Sequence, residues 1–159
     1  MKFNRQILIL MSVFFSVGLA QADTKVPYPD GFRYLTHIKT MVLYKGHPLA
    51  NPFMGIHQVY GNKKAVKGVK TGNFADGSVL VFDLHSFQTK NKASTEGKRI
   101  LVGVMQKDSQ RYRKTGGWGF EGFKGNSHNA RLVNDNGKSC FDCHLSQKNH
   151  GYVFSHWQE

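Results

Sequence analysis

Two cysteines and a histidine near the carboxyl end have the clearest chemistry in this chain of 159 residues. Cys140, Cys143 and His144 read Cys-x-x-Cys-His, and the sequence contains no other cysteine. At this spacing two thiols bond covalently to the vinyl groups of haem c, and the histidine becomes an axial ligand of the iron. Because the motif occurs once, it predicts one covalently bound haem c per chain.

Two other uses of these residues stay open. Cys140 and Cys143 could form a disulfide or a redox pair in an exported protein, although neither use needs a histidine beside them. A zinc site completed by His150 and His156 is another alternative, although six residues between Cys143 and His150 are fewer than zinc fingers use. Haem attachment is the interpretation that uses the whole motif.

Residues 1–22 have the pattern of a secretory signal. Lys2 and Arg5 supply positive charge, residues 7–19 are apolar, and residues 20–22 read Ala-Gln-Ala, which is typical of a cleavage site. The apolar stretch is shorter than the about 20 residues that span a membrane, and no later segment is apolar enough to do so. The sequence therefore predicts a soluble periplasmic protein without a membrane span.

The mature chain, residues 23–159, is the size of one domain and strongly basic. Its formal charge is +10, because Lys2 and Arg5 leave with the signal and the whole chain carries +12. Nucleic acid is an unsuitable partner for an exported protein. Positive charge here favours solubility, an anionic lipid surface or an acidic redox partner.

Alternation of apolar and polar residues predicts a mainly β fold. In residues 79–84, Leu80, Phe82 and Leu84 face one way and the residues between them the other, which is typical of a half-buried strand. Further strands are predicted at residues 32–43, 52–60, 99–106 and 117–123. No repeat or boundary divides the domain, so we expect a single-domain antiparallel sheet.

Two short helices accompany the predicted strands. Residues 62–69 form the first, with Asn62 as its N-cap. The second begins near Ser139, whose hydroxyl can cap it, and carries the haem motif at the C-terminal end of the domain. Long stretches with apolar residues at helical spacing are absent, which argues against a four-helix-bundle cytochrome.

The other axial position of the iron has no obvious protein ligand. Electron-transfer cytochromes fill it with a methionine or histidine, but no methionine follows His144, and His150 and His156 are close to the motif in sequence. The upstream candidates are Met41, Met54, Met105, His37, His47, His57, His85 and His128. Each of these residue types is more often a core or surface residue than a ligand, so we expect five-coordinate iron.

The order of several segments resembles the cytochrome P-460 superfamily. These segments are residues 59–62 (Val-Tyr-Gly-Asn), 70–77 (Lys-Thr-Gly-Asn-Phe-Ala-Asp-Gly) and 107–111 (Lys-Asp-Ser-Gln-Arg), followed by the terminal haem motif. The resemblance covers most of the mature chain. It implies a largely β haem c domain that forms a homodimer.

One position separates the two branches of that superfamily. In the branch that oxidises hydroxylamine, a lysine on the strand after the Asp-Gly turn bonds to the porphyrin, and the matching residue here is Phe82. That branch also has a glutamate for proton transfer on a later strand, whereas residues 101–106 contain no acid. The resemblance favours the cytochromes c prime beta, in which two phenylalanines cap the distal pocket. Phe82 matches one of them and Phe53 fits the other.

An apolar lid opposite His144 restricts the chemistry of the haem. It offers no hydrogen bond to dioxygen and no general acid that could cleave a peroxide, whereas nitric oxide and carbon monoxide need neither. The sequence therefore predicts a gas-binding cytochrome that carries, senses or scavenges nitric oxide, rather than an enzyme. A hydroxylamine or nitric oxide oxidising enzyme and an electron-transfer cytochrome c are the alternatives.

Overall fold

The structure, a computed structural model, describes residues 25–158. The predicted secretory signal lies outside the described residues. Five strands form one antiparallel sheet in which each strand pairs with the next along the chain. They are β1 (Thr36–Leu43), β2 (Gly55–Gly61), β3 (Val79–Lys90), β4 (Ala93–Lys107) and β5 (Trp118–Lys124). The mainly β, antiparallel fold predicted from the sequence is confirmed.

The longest strands extend well beyond their predicted bounds. A tight turn at Asn91 and Lys92 joins β3 to β4 and lets the two strands pair to their ends. Both turn residues have positive φ angles, 51° and 64°, as a two-residue hairpin turn requires. The outer part of this hairpin is polar and largely exposed, so no apolar alternation marks it in the sequence.

The segments predicted as strands at 32–43 and 52–60 each begin with a helical turn. A 3₁₀ turn, Phe32–Tyr34, precedes β1, and a one-turn helix, α1 (Ala50–Phe53), precedes β2. Gly55 connects α1 to β2 with a φ of 147°. A Cβ at this position would clash with the carbonyl oxygen of His85, so the connection requires glycine.

The first predicted helix is present as α2 (Lys63–Thr71). The side chain of Asn62 accepts a hydrogen bond from the amide of Ala65 at 2.9 Å, which confirms Asn62 as the N-cap. Gly72 ends the helix in the left-handed conformation. Val69 is buried where α2 packs against the sheet.

The helix that carries the haem motif is α3 (Lys138–His144), and the predicted cap by Ser139 is wrong. The carboxylate of Asp135 accepts hydrogen bonds from the amides of Ser139 at 2.8 Å and Gly137 at 3.0 Å. The bond from Ser139 is the largest cause that lowers the pKa of Asp135. Gly137, with a φ of 83°, turns the chain so that this upstream carboxylate reaches the free amides.

At residues 79–84 both faces of the sheet are largely buried, so the half-buried strand predicted there is wrong in that respect. The first face carries Val81 and Phe123 and is covered by the segment before β1. The second face carries Leu80 and Phe120 and is covered by α2 and α3. The haem motif therefore lies over the second face.

A buried ionic cluster lies on the first face around Asp83, whose side chain is fully buried. Its carboxylate accepts hydrogen bonds from Arg99 Nε at 2.6 Å, Arg33 Nη2 at 2.9 Å and His85 Nε2 at 3.0 Å. Burial opposes ionisation of Asp83, but the hydrogen bonds from Arg99 and Arg33 outweigh it and keep the pKa of Asp83 below its usual value. This Asp83 cluster links β3 to β4 and to the segment before β1.

We expect Asp83→Asn to lower the free energy of unfolding by about 3 kcal/mol at neutral pH, because it leaves the largely buried Arg99 without its anion. The folded pKa of Asp83 lies below the unfolded value of about 4, so its contribution is present above about pH 4. It is lost as the pH falls through the folded pKa. The variant should therefore lose less stability than the wild type on acidification, which urea unfolding at neutral and acidic pH measures.

Asp30→Asn is the matched control for this measurement. Asp30 is 78% exposed, and its contact with His128 is a surface pair. Such pairs are worth less than about 1 kcal/mol. Equal stability of the Asp83 and Asp30 variants at neutral pH would contradict the stabilising role of the Asp83 cluster.

Candidate functional site

The two cysteines of the motif lie one turn apart on α3. Residues three apart share one side of a helix, so both thiols are available to one ligand. Cys140 is half-buried against the second face, Cys143 is exposed, and neither forms a disulfide. Burial raises the pKa of the Cys140 thiol. The arrangement suits two thioether bonds to one flat group.

His144 has the tautomer and orientation that an iron ligand needs. Its Nδ1 lies 2.7 Å from the carbonyl oxygen of Tyr152. A carbonyl only accepts hydrogen bonds, so Nδ1 carries the proton and Nε2 keeps a free lone pair. Burial lowers the pKa of His144, which keeps the imidazole neutral, as metal ligation requires. The ring packs between Phe120 and Phe154, with centroids 5.1 and 5.0 Å away.

A buried tryptophan fixes the segment that orients His144. Trp118 Nε1, from the start of β5, donates a hydrogen bond to the carbonyl of Gly151 at 2.9 Å. The amide of Tyr152 donates to the carbonyl of Gln147 at 2.8 Å and closes the turn after α3. The segment whose Tyr152 carbonyl holds His144 is therefore tied both to the sheet and to the 3₁₀ turn that follows α3.

The surroundings of His144 fit a large apolar ligand such as haem. Three apolar side chains remain 42 to 49% exposed: Leu145 directly after the motif, Phe154 against His144, and Leu132 over Gly122 of β5. Two neighbouring strands have no side chain at one point of the sheet, because Gly122 in β5 pairs with Gly103 in β4. Glycine inside a strand commonly marks a close approach of another group to the backbone. The second face here combines uncovered apolar surface with two available thiols and one bare imidazole nitrogen.

The structure brings the two predicted lid residues together. Phe53, at the end of α1, and Phe82, in β3, meet edge to face, with ring centroids 6.0 Å apart and an interplanar angle of 87°. Phe82 pairs with Gly103, and a Cβ on Gly103 would lie 3.3 Å from its ring. The missing side chain lets this ring lean across the second face. Phe53 and Phe82 are named the lid below.

A third ring, that of His57, touches the lid. His57 lies in β2, is only 3% exposed, and meets Phe82 edge to face at a centroid distance of 4.7 Å. Its Nε2 is hydrogen bonded to the carbonyl oxygen of Phe53. Burial lowers its pKa. In the sequence, His57 is only one of eight upstream candidates for the sixth iron ligand. Its inward position in a strand was the one available signal of a role near the lid.

Several other candidates for the sixth ligand have different contacts. His85 is part of the Asp83 cluster on the first face. His128 stacks on Tyr28 with ring centroids 3.8 Å apart. Met105 packs into the core of the second face. These contacts account for the three side chains as structural residues.

The zinc alternative is not supported. Within residues 25–158, no three His, Cys, Asp or Glu side chains lie together in a way that could hold a metal ion. His150 and His156 stack on each other, with ring centroids 4.3 Å apart.

None of the helices in this described part of the chain is long and apolar enough to cross a membrane.

An antiparallel sheet that presents two thiols, a bare imidazole nitrogen and uncovered apolar surface on one face has the features of a haem-binding cytochrome. The family model for cytochrome P460 matches residues 29–155. The chain therefore belongs to the cytochrome P460 family and is a haem-binding cytochrome, as its segment order predicted. No curated protein matches the chain significantly.

Proposed function

We propose that this protein is a periplasmic cytochrome c prime beta that binds nitric oxide or carbon monoxide under the lid of Phe53 and Phe82. In this proposal Cys140 and Cys143 hold haem c through thioether bonds, and His144 Nε2 is the axial iron ligand. The observation that carries the proposal is the edge-to-face contact of Phe53 with Phe82 over the same face of the sheet as His144.

The lid residues determine which ligands are favoured. Bound haem would supply an iron that His144 Nε2 would hold and that could take up a small gas. Phe53 and Phe82 have no polar atom in their side chains, so they cannot stabilise a bound anion or a polar oxygen species by hydrogen bonding. Their rings restrict the space by size alone. A neutral diatomic gas suits such a pocket better than hydroxylamine or peroxide.

The positions of the acids argue against the enzymatic alternative. Among residues 25–158 the buried carboxylates are those of Asp83 and Glu121. Asp83 belongs to the cluster on the first face, and Glu121 pairs across the strands with Val104 of the same face. Glu121 is also bonded to Arg131 at 2.6 Å. A buried carboxylate beside the lid, the group that the enzymatic branch uses for proton transfer, is therefore not among the described side chains.

The basic charge supports an acidic redox partner as part of the proposal. A cleft of about 700 Å³ near Phe120 is lined by the cationic side chains of Lys25, Arg111, Arg113 and Lys114, together with the ion pair of Arg131 and Glu121. Positive surface of this kind attracts an acidic protein and speeds its encounter. Because Phe120 also contacts His144, a partner docked there would lie close to the haem motif. Export to the periplasm, which the predicted secretory signal implies, and a homodimer, which the resemblance to the superfamily implies, complete the proposal.

Three assays on the purified holoprotein test the proposed function. We expect the reduced protein to bind carbon monoxide and nitric oxide, and the oxidised protein to leave hydroxylamine unconsumed in the presence of an electron acceptor. Mass analysis of the haem peptide should show bonds to Cys140 and Cys143 only. Hydroxylamine turnover, or a third side chain bonded to the porphyrin, would favour the enzymatic branch instead.

A further inference from the structure

His57 makes a different contact with each of the two lid residues. The His57 and Phe82 rings meet edge to face, with an interplanar angle of 87°. Its Nε2 bonds to the backbone of Phe53 rather than to a side chain. One buried side chain therefore connects both lid residues to β2.

The hydrogen bond defines the protonation of His57. The carbonyl oxygen of Phe53 can only accept, so Nε2 carries the proton and donates it. Nδ1 is buried and has no hydrogen-bond partner among residues 25–158. The contact is therefore a directed N–H to carbonyl bond made by a neutral ring.

The part of the chain that carries Phe53 has few other restraints. α1 is four residues long, and its own hydrogen bonds run from the amide of Phe53 to the carbonyl of Leu49 at 3.2 Å and from Met54 to Ala50 at 2.7 Å. A single helical turn is not stable alone in water. Leu49 and Met54 are 43 and 46% exposed, so apolar packing of the flanks is weak. The bond from His57 is a restraint that reaches this turn from the rigid sheet.

We propose that His57 is the positioning residue of the lid: its Nε2–H fixes the carbonyl of Phe53, its ring supports Phe82, and together these contacts set how readily a gas reaches the haem. This inference rests on the proposed function for the role of the lid. It assigns His57 a part in gas access without making it an iron ligand.

Two variants of His57 separate the hydrogen bond from the ring contact. His57→Phe keeps an aromatic ring against Phe82 but has no donor. His57→Gln loses the ring but keeps an amide donor at a position similar to that of Nε2. His37→Phe is the matched control, because His37 is exposed in β1 and is bonded to Thr40, away from the lid.

Hydrogen exchange of the holoproteins measures how often the turn of α1 opens. We expect the amides of Phe53 and Met54 to exchange about fivefold faster in His57→Phe, since one hydrogen bond of typical net strength is worth about that factor. His57→Gln should restore slow exchange, and His37→Phe should not change it. Carbon monoxide association, followed after flash photolysis, should be faster in His57→Phe than in the wild type.

The two readouts keep this inference distinguishable from the proposed function. Unchanged exchange at Phe53 and Met54 in His57→Phe would overturn the positioning role of His57. Equally fast exchange in the Phe and Gln variants would overturn the role of the hydrogen bond. Faster exchange with unchanged association of carbon monoxide would support the positioning of Phe53 by His57, but would overturn both its part in gas access and the lid in the proposed function. If His57→Phe does not fold, a nitrogen-15 spectrum of the wild type decides, because a proton on Nδ1 would overturn the assignment.

Discussion

Replacing both Cys140 and Cys143 with alanine is expected to abolish covalent attachment of haem. These are the only thiols in the chain, so no other residue can form a thioether bond. The variant, expressed in a host with a haem c maturation system, should give no haem stain on a denaturing gel. Intact mass should show the polypeptide alone, whereas the wild type carries the mass of one haem.

The control for this double variant is Ser139→Ala. Ser139 lies on the same turn of α3, and its amide bonds to Asp135. We expect full haem attachment in this variant. A haem stain that survives the loss of both cysteines would show that another residue holds the group, and would contradict the assignment of the motif.

Replacing Phe82 with alanine should accelerate the association of carbon monoxide by about tenfold or more, which corresponds to a barrier lower by about 1.4 kcal/mol. The Phe82 ring lies on the second face of the sheet, beside Gly103, which has no side chain. Removing it leaves a gap that neither Phe53 nor His57 can fill without moving. Flash photolysis of the reduced carbon monoxide complex measures this rate.

Phe87→Ala is the matched control for the Phe82 variant. Phe87 lies farther along the same strand and packs on Tyr44, with ring centroids 5.4 Å apart. We expect its carbon monoxide association rate to equal that of the wild type. If the Phe82 and Phe87 variants both bind at the wild-type rate, the lid does not control gas access.

The local features of the fold were predictable because they depend on residues close in sequence. Alternation in residues 79–84 gave the strand and its two faces, and the Asn62 cap and the Gly72 terminus gave α2. The cap of α3 was not predictable in the same way. Asp135 replaces Ser139 there because Gly137 turns the chain, and this turn depends on a backbone conformation that the spacing alone does not reveal.

The same distinction between local and distant contacts applies to the residues of the candidate site. Cys140, Cys143 and His144 are contiguous enough to be recognised as a motif, and the resemblance pointed to Phe53 and Phe82. The contacts that support them join distant parts of the chain, so a local pattern could not predict them. Tyr152 orients His144 through a backbone carbonyl, which no residue type specifies.

The buried charges around Asp83 were the least predictable from the local sequence pattern. Asp83 looked like an outward polar residue of a half-buried strand, yet it is fully buried. It is stable there because Arg33, fifty positions away in the chain, and Arg99, sixteen away, converge on its carboxylate. Long-range pairing of this kind depends on the register of the sheet and on the segment before β1, and both exist only in the folded protein.

The absorption spectrum of the purified protein, oxidised and reduced, before and after addition of nitric oxide and carbon monoxide, tests the central claim most directly. We expect a high-spin, five-coordinate haem c whose reduced form changes its spectrum with both gases, because His144 is the only ligand assigned to the iron. A low-spin spectrum that neither gas alters would mean that a second protein side chain occupies the iron, and it would contradict gas binding in favour of electron transfer.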